Sequence, residues 1–134
     1  AGKCRQRVPN YEEKAKELKQ RGITHIVCCT EDSVHYHEGK FSYYNVTLTD
    51  TDDADITSHL DGAYQFIEKA IKEEGRVLVH CGAGVSRSAS VVIAYLMKKE
   101  GADYQSTFNF VKTKRPCVNP NRGFVRQLQS YNKI

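Results

Sequence analysis

Residues 77–100 read VLVHCGAGVSRSASVVIAYLMKKE, and no other stretch restricts the chain so tightly. Val77, Leu78 and Val79 form a short apolar run, which predicts a buried strand over Arg76 to His80. Gly82, Ala83 and Gly84 follow, with little or no side chain. From Arg87 to Glu100 the composition becomes helix-forming and apolar on most sides (Ala89, Val91, Val92, Ile93, Ala94, Leu96), so this helix is expected to be buried and to end at Gly101. A cysteine thus closes a strand, a small-residue loop follows, and a helix begins at an arginine. The N–H groups of such a loop and the positive end of the helix converge on one point. That arrangement builds an anion pocket with Cys81 at its floor.

The residue types in that run fit one kind of chemistry. A free thiol with an ordinary pKa near ~8.5 is mostly protonated at neutral pH, and only the thiolate is a strong nucleophile. The loop amides and the helix end favour an anion, first the sulfur and then a bound oxyanion. Arg87 adds a planar fork able to hold two oxygens at once, which lysine cannot do. Five residues separate Cys81 from Arg87, enough for a near-circular loop around one tetrahedral anion. The expected anion contacts are Gly82, Ala83, Gly84, Val85, Ser86 and Arg87. Ser88 is placed to hydrogen-bond the sulfur and help it leave in a second step, and His80 to orient the loop. Such a pocket works by positioning and electrostatics, without a metal or organic cofactor.

The remaining chain alternates strands and helices. Asn10 is expected to cap a helix from Tyr11 to about Arg21, ended by Gly22. Ile23 to Cys29 and Phe41 to Leu48 predict strands, with a polar loop from Glu31 to Lys40 between them. Thr49 to Asp55 is acidic and lacks apolar periodicity, so it reads as a loop. Asp55 or Thr57 then caps a helix to about Glu74, with Leu60, Tyr64, Ile67 and Ile71 on its apolar face. The strand before Cys81 is short and apolar, hence expected at the centre of the sheet. Asp103 caps a further helix to about Lys114. A last helix begins near Pro120 or Asn121, with Phe124, Leu128 and Tyr131 on one stripe. The expected architecture is α/β: a single-domain sandwich over residues 1–134, with a small central mixed sheet flanked by helices.

Composition narrows the partners. A length of 134 residues suits one core, and 40% hydrophobic with 27% charged residues suits a globular chain. No apolar run is long enough to span a bilayer, and no signal-peptide pattern opens the sequence. A net charge of +4 favours phosphorylated partners without demanding nucleic acid or a membrane surface, and the expected state is a monomer. The five cysteines show no C-x-x-C or zinc pattern, so free thiols in a reducing compartment are expected, cytoplasmic and also compatible with the nucleus. Cys28 and Cys29, in a core strand, are expected to be inert packing residues.

The run HCGAGVSRS resembles the HC-x5-R-[ST] signature of the cysteine-dependent protein phosphatases, and GAGVSRSAS resembles its dual-specificity (VH1-like) branch. The likeness extends to GITHIVCCTED, similar to the family's first core strand, and to KRPCVNPNRGFVRQL near the C-terminus. The strand that often opens such domains is not evident before Pro9. The resemblance implies a protein tyrosine phosphatase-like fold and hydrolysis of phosphotyrosine, phosphoserine or phosphothreonine through a cysteinyl-phosphate. It also implies a carboxylic acid on the loop before the long helix, to protonate the leaving oxygen. Asp50, directly after VTLT, matches the family's position best; Asp52 and Asp53 match less well, and Asp55 reads as a helix cap. Asn119 and Asn121 lie in a turn that the family packs near the loop, where their amides would support it.

Two other functions share this signature. Phosphoinositide and RNA phosphatases often carry lysines or other polar residues inside the loop, and Gly82 to Ser86 has no lysine. Non-catalytic phosphoprotein-binding relatives share a segment much like CVNPNRGFVRQLQSY, but they are defined by loss of the nucleophile, and Cys81 is present.

Overall fold

Ile26, Val27 and Cys28 are all almost fully enclosed, and the sheet is built around them. The computed structural model describes residues 11–30, 41–81 and 86–131. The elements are α1 (Tyr11–Gln20), β1 (His25–Cys28), β2 (Ser42–Asn45), α2 (Thr57–Lys72), β3 (Val77–His80), α3 (Arg87–Glu100), α4 (Tyr104–Lys114) and α5 (Arg122–Ser130). Asn10, the loop over 31–40 and residues 82–85 fall outside the described residues. No helix of the described residues is long and apolar enough to cross a membrane.

The strand order is β2-β1-β3, and both pairings are parallel. Among the described residues the sheet is therefore parallel rather than mixed. It also corrects the expectation for β3: β1 is the central strand, and β3 flanks it. Short apolar runs mark both strands alike. Burial separates them, because three of four β1 residues are buried while every β3 residue keeps some exposure. The register pairs Cys28 with His80, so the ends of β1 and β3 lie side by side.

Helix α2 buries Leu60, Ala63, Ile67 and Ala70. Ile71, expected on that face, is 48% exposed. One residue further along a helix turns the side chain by about 100°, and small Ala70 takes the inward position instead. Helix α2 packs on α3 through Tyr64 and Tyr95, whose ring centroids lie 5.4 Å apart. Around this contact, Tyr95 Oη donates to Glu68, and Lys99 Nζ donates to the other Glu68 oxygen at 3.1 Å. These donors hold the Glu68 carboxyl below the usual carboxylate range.

The expected bounds of α3 hold to the residue, and Gly101 closes it in the left-handed region at φ 65°. Asp103 caps α4 by accepting from Ser106 N at 2.8 Å. Phe124 and Leu128 of α5 are fully enclosed in the main core, and Tyr131 Oη reaches Asp61 Oδ1 at 2.8 Å. Truncating Phe124→Ala removes the largest fully buried side chain among the described residues and is expected to cost about 4 kcal/mol. Urea unfolding checks this: a loss below about 1 kcal/mol would mean that α5 is not docked on the core.

Candidate active site

Cys81 is the residue at which the sheet ends and the site begins. It follows β3 directly and is 3% exposed. Its sulfur faces the first turn of α3. Ser88 N donates to Sγ at 3.4 Å, and the thiol donates to Ser88 Oγ at 3.2 Å. The hydroxyl can reverse this second bond when the sulfur is ionised, because it is both donor and acceptor. Parallel strands bring this about with little sequence: the residue that follows β3 meets the first turn of α3.

Ser86, expected among the anion contacts, is buried and works as an anchor. Its carbonyl accepts from Ser90 N at 2.9 Å and Ser90 Oγ at 2.7 Å, and its own hydroxyl accepts from Asn121 N at 2.9 Å. Gly82, Ala83, Gly84 and Val85 lie outside the described residues. Arg87 opens α3 and is half-buried. Its Nη1 donates to the Leu48 carbonyl at 3.2 Å, which ties the guanidinium to the chain just before the acidic loop. Among the described residues, one of its five guanidinium N–H groups is used there. His80 is half-buried, and its carbonyl accepts from Cys29 N at 2.8 Å.

The four aspartates of the acidic loop separate by partner. Asp50 is exposed, and its Oδ1 accepts from Asn121 Nδ2 at 2.9 Å. Asp53 accepts from Thr51 Oγ1 at 2.7 Å within the loop. Asp55 accepts from Ser58 N at 3.2 Å, in the first turn of α2, but the N-cap position falls on Ile56, between the two expected caps Asp55 and Thr57. Asp52 presents its backbone to α5: a Cβ added at Gly123 would meet the Asp52 carbonyl oxygen at 1.9 Å. Of the two asparagines in the preceding turn, Asn119 is exposed and makes no hydrogen bond among the described residues. Asn121 is joined to both Asp50 and Ser86.

Two further residues shape this region. Gln127 Oε1 accepts from Ile56 N at 2.9 Å and Thr57 N at 3.0 Å, and its Nε2 donates to the Ala54 carbonyl at 2.9 Å. It therefore caps α2 from across the molecule. No local signal marks Gln127. Gly123 did leave a trace, because a glycine in the first turn of a helix loses helix propensity and implies close approach of another chain segment.

The neighbouring cysteines differ from Cys81. Cys29 continues β1 beside it, and burial pushes the Cys29 thiol well up, with the nearby Cys81 and Cys28 adding and Arg87 opposing. A buried thiol of this kind stays protonated, consistent with an inert packing role. Cys28, Cys29 and Cys81 are in the thiol form, not disulfide-bonded. Cys117 is disulfide-bonded, which corrects the expectation that all five are free thiols. Among the described residues no group of three or more His, Cys, Asp or Glu side chains is placed to hold a metal ion.

The family described as dual specificity phosphatase, catalytic domain, matches residues 8–134. Protein phosphatase Slingshot homolog 1 of Homo sapiens is 42% identical over 119 residues, covering 89% of this chain and 11% of that protein. A probable rhodanese domain-containing dual specificity protein phosphatase of Dictyostelium discoideum is 43% identical over 118 residues, covering 88% of this chain and 25% of that protein. This chain thus spans about a tenth to a quarter of the length of these relatives. Among solved structures, the human tyrosine phosphatase-like serine/threonine/tyrosine-interacting protein superposes with a TM-score of 0.86 at 37% identity, covering 90% of this chain and 83% of that one.

Proposed function

The chain belongs to the dual specificity phosphatase catalytic-domain family, and we propose that it forms one catalytic domain that hydrolyses phosphotyrosine and phosphoserine/phosphothreonine side chains of proteins. The observation that carries this reading is the placement of Cys81 Sγ against the first turn of α3, contacted by both Ser88 N and Ser88 Oγ. A sulfur held there faces the Ser88 N–H and the positive end of a 14-residue helix, with Arg87 next to Ser88 in the chain.

In the first step the Cys81 thiolate attacks phosphorus, the bond from phosphorus to the leaving oxygen breaks, and Asp50 delivers its proton to that oxygen. Arg87 and the N–H groups of the loop over 82–86 receive the charge that spreads over the equatorial oxygens. In the second step water attacks the cysteinyl-phosphate. Asp50, now a carboxylate, takes the water's proton, and the sulfur leaves as thiolate with inorganic phosphate as product. His80 and Asn121 support the loop. No cofactor enters either step. The substrates are phosphorylated proteins, and the basic excess of +4 suits them. The reading keeps the domain monomeric, with no nucleic-acid or membrane partner. It places the domain in the cytoplasm or nucleus, where the Cys81 thiol that the mechanism uses and regenerates stays reduced.

Turnover assays on a phosphopeptide, a soluble phosphoinositide and a 5′-phosphorylated RNA test the substrate class. Hydrolysis of the phosphopeptide at a kcat/KM at least tenfold above the other two is expected. Preference for the lipid headgroup or the RNA would overturn the assignment.

Ser88 yields a separate prediction. Its hydroxyl, bonded to the departing sulfur, favours the charged form by about 2 kcal/mol, or roughly 30-fold in rate. Ser88→Ala is therefore expected to leave phosphorylation of Cys81 nearly intact and to slow breakdown of the intermediate. Stopped-flow assays with para-nitrophenyl phosphate should show a burst of one product equivalent followed by slow turnover. A uniformly slowed reaction without a burst would assign Ser88 to the helix alone.

A further inference from the structure

Three contacts seat the acidic loop on the N-terminal half of α5. Asn121 Nδ2 donates to Asp50 Oδ1 at 2.9 Å, the missing side chain of Gly123 admits the Asp52 carbonyl, and Gln127 holds Ala54, Ile56 and Thr57. Asn121 is the junction. Its Oδ1 is committed to the helix cap, accepting from Phe124 N at 2.8 Å. That bond decides the amide's orientation and leaves Nδ2 to face Asp50. The same residue's backbone N–H reaches Ser86 Oγ at 2.9 Å, next to Arg87. One residue therefore spans the acidic loop, the phosphate-loop anchor and the start of α5.

We propose that Asn121 is the positioning residue for proton transfer, holding Asp50 in register with the phosphate loop through its bonds to Asp50 and Ser86. Oδ1 of Asp50 already accepts the amide N–H, so the transferable proton sits on Oδ2, and the carboxyl cannot rotate without breaking the bond. The choice of asparagine follows from the double duty. Aspartate caps a helix as well as asparagine does, but at 121 it would set one carboxylate against another and supply no donor. Serine would cap α5 and fall short of Asp50. This proposal rests on the reading of Asp50 as general acid and adds what aims it.

The test uses leaving groups. A good leaving group such as para-nitrophenolate departs with little help, whereas phenolate needs the proton. Asn121→Asp and Asn121→Ser, made in this 134-residue chain, both retain the α5 cap. Each is expected to lower kcat on phenyl phosphate by about tenfold, the scale of one hydrogen bond to a charged group. KM should stay within about twofold, and kcat on para-nitrophenyl phosphate should fall less than about threefold. Asp50→Asn should show the same selectivity more strongly, and adding Asn121→Asp to it should cost nothing further. Equal losses on both substrates, losses confined to KM, or additive losses in the Asp50→Asn background would overturn the proposal and leave Asn121 a helix cap. If Asp50→Asn itself shows no dependence on the leaving group, the acid assignment fails and the positioning role falls with it. Cys81 chemistry, read from the burst of product, would still stand.

Discussion

Cys81→Ser is expected to lower turnover of para-nitrophenyl phosphate on the order of 10⁵-fold or more, the scale of removing a nucleophile from an enzyme that works through a covalent intermediate. The exchange is nearly isosteric. Serine keeps a hydroxyl within reach of Ser88, so the start of α3 retains its contacts. What disappears is an ionisable sulfur, since an alcohol is not deprotonated near neutral pH. Binding should survive, because Arg87 and the helix N-terminus remain. A phosphopeptide should therefore bind Cys81→Ser at least as tightly as it binds the unaltered chain, by calorimetry or fluorescence polarisation. The two measurements together separate an enzyme from a phosphate-binding module. If the unaltered chain and the variant are equally inactive while both bind, the domain recognises phosphate without cleaving it.

The legible parts of this molecule were those set by neighbours in sequence. Helix α3 could be bounded to the residue because its start follows a small-residue loop and its stop is a glycine that adopts φ 65°. Asp103 announced α4 in the same way, as a cap read within one turn, whereas α5 was placed only by its start near Pro120 or Asn121, and the cap that Asn121 forms with Phe124 N came from the structure. Positions set by partners distant in the chain were harder to read. Short apolar strands β1 and β3 carry the same local signature, and only pairing decides which is central. Ile71 lost the inward position to Ala70 because hydrophobicity marks a face more broadly than packing uses it. The acidic loop is the clearest case. Four aspartates within six residues have nearly identical local surroundings, so resemblance rather than spacing selected Asp50. The contact that distinguishes it comes from Asn121 on the far side of the sequence. Gln127, which caps α2 from α5, left no local trace at all.

Arg87→Lys is the second large effect expected, a fall in kcat/KM of about 10³-fold with charge conserved. The physical reason is geometric. At the first position of α3, a cation opposes the helix macrodipole, and a bound anion between them relieves that conflict. Arginine spends one N–H on the Leu48 carbonyl at 3.2 Å and still presents an edge able to make two parallel bonds to a phosphoryl group. Lysine is a point charge on a flexible stem. If it satisfies Leu48 it meets the anion poorly, and if it meets the anion it abandons Leu48. Losing two charge-assisted bonds at roughly 2 kcal/mol each gives about the stated factor. Part of the loss should appear in KM and in weaker inhibition by inorganic phosphate, since the fork grips the ground state as well. Most should appear in kcat, because charge on the equatorial oxygens redistributes in the transition state. The thermal midpoint should shift by only a few degrees, which separates this outcome from unfolding. Retention of kcat/KM within tenfold would mean that the loop amides carry the anion without a bidentate clamp, and that Arg87 serves chiefly to tie α3 to the segment before the acidic loop.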